Sequence, residues 1–172
     1  MYNNTTGAYN TAVGHSALNA NTTASDNSAL GYRALYANTT GTRGVAVGNY
    51  SLATNTTGNY NVAVGYSALS GNTTASGNVA IGDSVLVNNT TGTNNVAIGT
   101  FNGSTLPALY YNTTGSYNTA HGALALKSNT TGSENTAVGY QAGYSNTTAS
   151  DSTYIGYGAG DRKSTRLNSS HT

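Results

Sequence analysis

Apolar residues recur in this chain at fixed intervals, set in long stretches of Asn, Thr, Ser and Gly. The clearest unit is a triplet of branched residue, Ala and branched residue closed by Gly, as in Val62-Ala63-Val64-Gly65, Val79-Ala80-Ile81-Gly82 and Val96-Ala97-Ile98-Gly99. Period-two alternation of β-branched side chains predicts a short strand at each triplet. A second apolar position follows in the next segment, giving a column of Leu18, Leu35, Leu52, Leu69 and Leu86, in which Gly143 and Gly160 later stand in place of Leu.

A third marker, Asn-Thr-Thr, fixes the repeat. It begins at Asn4, Asn21, Asn38, Asn55, Asn72, Asn89, Asn112, Asn129 and Asn146, always 17 residues apart except for one step of 23. Between it and the triplet come Gly or Ala and two variable residues, then usually Asn. Such a unit cannot bury a core alone, but at about 3.3 Å per residue it closes one narrow coil of two short strands and two turns that must stack on its neighbours. The pattern therefore predicts an all-β fold, a parallel β-solenoid of about nine 17-residue coils over residues 1–160. Dominance of Gly, Asn, Thr and Ser argues against helix, and the regular placement of Val, Ile and Leu argues against disorder.

The alternation leaves each strand with a branched face and an Ala face. The branched face, Val62, Val79 and Val96 included, is expected to fill the coil. Ala12, Ala29, Ala46, Ala63, Ala80, Ala97, Ala120 and Ala137 would then press against a close neighbour, either within the chain, where a narrow coil crowds the position, or in another chain, which low charge and exposed Tyr favour; the column admits a larger residue only at Tyr154. The Gly closing every triplet marks a corner that needs positive φ or a close backbone approach.

Composition narrows the function. Only 6% of residues are charged and the formal net charge is +1, so no basic patch points to nucleic acid or an anionic membrane. There is no Cys, hence no disulfide and no cysteine metal site, and no apolar run approaches the ~20 residues of a membrane span. Asp26, Asp83, Glu134 and Asp151 are scattered one to a coil, with His15 and His121, and no acid–base pair recurs. No catalytic residue, metal or cofactor is expected, and the chain does not read as an enzyme. His121 sits in the column of Val13, Leu30, Val47 and Val64, either as an ion site on an assembly axis or as a tolerated polar residue.

Three surface features remain as candidates. The Asn-Thr-Thr column reads as a stacked polar ladder, as nine N-glycosylation acceptors or surface ligand sites at the Asn positions given above, or as an ice-binding Thr array. The last is disfavoured because adjacent Thr residues in a regular strand face opposite sides. Tyr9, Tyr60 and Tyr117 share one repeat position and Tyr32, Tyr66, Tyr140 and Tyr157 another, so rings stack between coils or bind a host-surface protein or glycan. The six extra residues of the long unit predict a protruding loop over 101–107, with Phe101, Asn102, Leu106 and Pro107 as a candidate binding loop. Residues 161–172 break from the repeat and resemble a translated cloning or adapter tail, so they are expected to be non-native or disordered.

At Asn61-Val62-Ala63-Val64-Gly65 and Asn78-Val79-Ala80-Ile81-Gly82 the sequence resembles the head repeats of trimeric autotransporter adhesins, the YadA-like family, across about residues 4–160. The resemblance implies a left-handed parallel β-roll, a homotrimer or self-assembled fibre, and an extracellular, cell-surface location without membrane contact in this segment. The unit here is longer than the family's usual one. Similar arrays occur in tail-fibre-like proteins carrying an endosialidase-type chaperone domain, which implies a virion fibre as the alternative.

Overall fold

A computed structural model describes residues 3–161 of the chain. Within them nine three-residue strands form one parallel sheet in chain order: β1 (Thr11–Val13), β2 (Ser28–Leu30), β3 (Val45–Val47), β4 (Val62–Val64), β5 (Val79–Ile81), β6 (Val96–Ile98), β7 (Thr119–His121), β8 (Thr136–Val138) and β9 (Thr153–Ile155). Register is strict, with Ala63 beside Ala80 and Ala80 beside Ala97, and the step from Ala97 to Ala120 absorbs the long unit. The fold is thus an all-β parallel solenoid of nine coils, without helix among the described residues. The tail expectation falls outside those residues, apart from Asp161.

Inside and outside are the reverse of the sequence expectation. Ala46, Ala63, Ala80, Ala97, Ala120 and Ala137 are fully buried within the coil, whereas Val13, Leu30 and Ile81 are 55%, 50% and 39% exposed. The inward column is therefore the Ala column: Val62, Val79 and Val96 do not fill the coil, and the close neighbour of the Ala residues is the interior of their own chain rather than another chain. Cross-section explains it. Leu18, Leu35, Leu52, Leu69, Leu86, Leu109 and Leu126 fill the interior in one cluster with the strand Ala residues, leaving room for a methyl group on the strand.

The ninth coil proves the point by inversion. There Tyr154 takes the Ala place, and the Gly residues on either side of it, Gly143 of the eighth coil and Gly160 of the ninth, take the Leu place. A Cβ on Gly143 would lie 2.7 Å from Tyr154 Cδ2, and one on Gly160 would lie 2.3 Å from its Cδ1. One ring occupies the volume that two Leu side chains would need.

The second segment is a turn rather than the expected second strand. Leu52 and Leu69 hold φ of 50° and 53°, in the left-handed region, and their equivalents do the same. That conformation costs about 1–2 kcal/mol. Complete burial of a Leu side chain contributes about 1.5–3 kcal/mol, so burial wins. Coil-to-coil bonds continue through the turn, as in Leu52 N–H to Ala68 O at 3.0 Å.

Seven of the nine corner glycines meet both conditions set for them, and Gly156, in the last coil, has the positive φ without the close neighbour. Gly65 has φ of 137°, and a Cβ there would stand 2.3 Å from Gly82 O in the next coil. Gly99 departs, having no positive φ, because the long unit leaves the coil directly after it.

Candidate functional site

The Asn-Thr-Thr asparagines are not a surface column. Asn21, Asn38, Asn72, Asn89, Asn112 and Asn129 are fully buried, Asn55 and Asn146 nearly so, and only Asn4 is half-buried. Each interior side chain donates twice through Nδ2: Asn72 bonds Asn55 Oδ1 at 2.8 Å and Ala75 O at 3.0 Å, and accepts from Asn89 Nδ2 at 3.2 Å. A glycan on Nδ2 would break both donations and has no space in the interior, so glycosylation or ligand binding at these positions is incompatible with the folded coil. The ladder ends at Asn146, whose amide turns onto Ala149, leaving Asn129 Oδ1 buried without a donor among the described residues.

A parallel Asn ladder precedes the strands, at a position the sequence reading registered only as usually Asn. Asn61 Oδ1 accepts the backbone N–H of Asn78 at 3.0 Å, and Asn78 Oδ1 that of Asn95 at 2.9 Å. Their Nδ2 groups donate to Ala75 O and Gly92 O. Recurrence of Asn before the triplet was the available signal; only the closed geometry gives it a role. Gly44 interrupts this ladder, and the Asn61 N–H has no acceptor among the described residues.

Both Thr residues of the marker lie in a bend, not a strand, so the opposite-sides argument does not apply: the second Thr is exposed in all nine copies, and the first is exposed in three and half-buried in six. The first Thr is tied down through its hydroxyl, which donates to the next coil's Thr carbonyl, as in Thr56 Oγ1 to Thr73 O at 3.0 Å.

Two outer faces stand out. The sheet face carries the branched residues in two columns, both apolar across β3 to β6, and no strand residue is charged. His121 lies exposed in the outer column between Ile98 and Val138, where its ring can meet solvent. A recess of about 340 Å³ beside it is lined by Ile81, Ile98, Thr100 and His121.

The turn face carries aromatic rings. His15 stacks on Tyr32 at 5.7 Å, Tyr32 meets Tyr50 edge-on at 5.2 Å, and Tyr50 meets Tyr66 edge-on at 6.1 Å. Arg33 lies over Tyr32 and Tyr36. Desolvation first, and a hydroxyl contact with Tyr32 second, raise the Tyr50 phenol above its ordinary value. Further along, Lys127 lies 4.5 Å from the Tyr144 ring centre and bonds its hydroxyl at 3.1 Å. Tyr9, Tyr60 and Tyr117 occupy a separate left-handed turn position, shared with Asp26, Glu134 and Asp151.

The inserted loop is partly what its sequence predicted. Phe101 and Asn102 project, and Asn102 Oδ1 accepts from Ser104 N and Thr105 N at 3.1 and 2.9 Å, closing a local turn. Pro107 is buried and Leu106 half-buried, with the Leu106 carbonyl accepting from Leu124 N. Pro107 thus anchors the loop and is not available to a ligand.

Among the described residues no three His, Cys, Asp or Glu side chains group to hold a metal, and no helix is long and apolar enough to cross a membrane. No protein family, curated protein or solved structure matches the chain.

Proposed function

We propose that this chain is a segment of an extracellular structural and adhesive fibre, in which three copies associate through their sheet faces. The observation carrying the proposal is the sheet face itself: both outward columns are Val or Ile across β3 to β6, one of them is Val, Leu or Ile on every strand but β7, and no strand residue is charged. Contiguous apolar patches of this kind are rare on monomers and mark association surfaces. The number three comes from the resemblance to trimeric adhesin heads. The Ala column has no part in the contact, since it is spent inside the coil.

The test is the mass in solution. Light scattering is expected to give three times 17.4 kDa for the chain, and Ile81→Glu, placed outward in the middle of the sheet face, is expected to give monomers with an unchanged circular dichroism spectrum. A folded, monomeric unsubstituted chain would refute the assembly.

A further inference from the structure

The turn face differs from the sheet face in chemistry. Eight of the 14 tyrosines fall in the turn segments between a corner Gly and the next Asn-Thr-Thr, Tyr157 follows the last corner Gly, and none of those segments is a strand. A face meant only to shield backbone does not need phenols, and the rings here are not fully spent on one another. Tyr50 and Tyr66 meet edge-on, and Tyr66 stays 54% exposed. Between them runs a groove of about 360 Å³ lined by Tyr50, Ala53, Thr54, Tyr66, Ser67 and Ser70. The Thr54 hydroxyl is committed to carbonyls of the next coil, at Ser70 and Asn72. The Ser67 and Ser70 hydroxyls have no hydrogen-bond partner among the described residues.

We infer that this groove binds a neutral polysaccharide laid along the solenoid axis, with Tyr66 and Tyr50 stacking on the C–H faces of the sugar rings and Ser67 and Ser70 bonding their hydroxyls. The groove's lining holds no charged side chain, and the cation nearest it on the ring column, Arg33, lies over the Tyr32 and Tyr36 rings one coil back, so an anionic polymer would meet no cation within the groove. A lipid or apolar peptide would leave both serines unpaired. A neutral sugar satisfies rings and hydroxyls together, and Tyr supplies that mixed contact at low entropy cost. Ring follows ring from one coil to the next, so a polymer engages several coils at once and gains avidity over a short oligomer.

This site deepens the adhesive half of the proposed function and is independent of the assembly half. A monomer that binds sugar would overturn the trimer and keep the site, and a trimer that does not bind would do the opposite.

The experiment is native affinity electrophoresis of the full chain in gels cast with dextran, xylan, galactomannan or hydroxyethylcellulose. Retardation is expected in at least one of them. Tyr66→Ala, which removes an exposed ring and no part of the interior, is expected to weaken it about tenfold. Tyr66→Phe should keep most of it, and Tyr117→Ala, at the separate turn position, should change nothing. As the chain has no Trp, its tyrosine emission gives a second readout and should respond to the same polysaccharide. Absence of retardation in all four gels, an unaffected Tyr66→Ala, or an equal loss on Tyr117→Ala would each overturn the proposal.

Discussion

Exchange of ring and Leu in the ninth coil can be tested by a double-mutant cycle. Tyr154→Ala alone restores the strand residue of every other coil but leaves Gly143, so a ring-sized hole opens beneath Leu126. Loss of a fully buried ring costs about 3–5 kcal/mol. Tyr154 is only partly buried, and about 2 kcal/mol is expected here. Gly143→Leu alone drives a side chain into a position where Cβ already stands 2.7 Å from the Tyr154 ring and 2.9 Å from Leu126 Cδ2. Overpacking of that kind costs about 1–3 kcal/mol. The left-handed turn adds about 1 kcal/mol against Leu, a cost the other coils accept.

Together the two substitutions recreate the Ala–Leu pair on the Gly143 side and leave only the Gly160 side unfilled. The double variant should therefore fall within about 2 kcal/mol of the original chain, against about 4–6 kcal/mol if the single costs added, a coupling of at least about 2 kcal/mol. Urea unfolding gives the three differences. Amide exchange at Gly156, bonded to Val138 O, and at Gly143, bonded to Ala159 O, localises them to the last two coils. Additivity of the singles to within about 0.5 kcal/mol would refute the claim that ring and Leu share one volume.

Two further outcomes follow from the buried amides. Gly44→Asn is expected to stabilise the fold by about 1 kcal/mol, read as a higher urea midpoint, because it supplies the Asn61 N–H with an acceptor and restricts the unfolded chain; its Cβ, 3.0 Å from Asn27 Oδ1, needs a shift of a few tenths of an ångström. Asn72→Ala in the other ladder should cost about 3 kcal/mol in the same measurement, since it strands the Asn55 oxygen and the Asn89 amide inside the coil; a change below about 1 kcal/mol would mean that the ladder contributes no net stability.

How much the sequence disclosed depended on what each signal encodes. The period, the strands and their register follow from spacing alone, because stacking a 17-residue unit on itself aligns every equivalent position; β4 and β5 fall on Val62–Val64 and Val79–Ile81, where the triplets stand. The corner Gly was legible because seven of its nine copies combine a positive φ with a Cβ position 2.7 Å or less from the next coil's backbone, Gly99 and Gly156 being the departures. Which strand face points inward was not, since period-two alternation says only that the faces differ. Apolarity points to the Val face, and in a wide sandwich it would be right. A coil of 17 residues encloses so little volume that size outranks hydrophobicity: Leu from the turn takes the centre, Ala is what remains for the strand, and Val and Ile are turned out. The same scarcity drew Asn inward, because a narrow coil brings turn carbonyls to its axis, and Asn21, Asn38 and Asn55 both satisfy them and bond one another. Tyr154 was the one legible warning. A bulky residue opposite two glycines is a volume exchange across an interior, and it marks the Ala column as the inside of the coil.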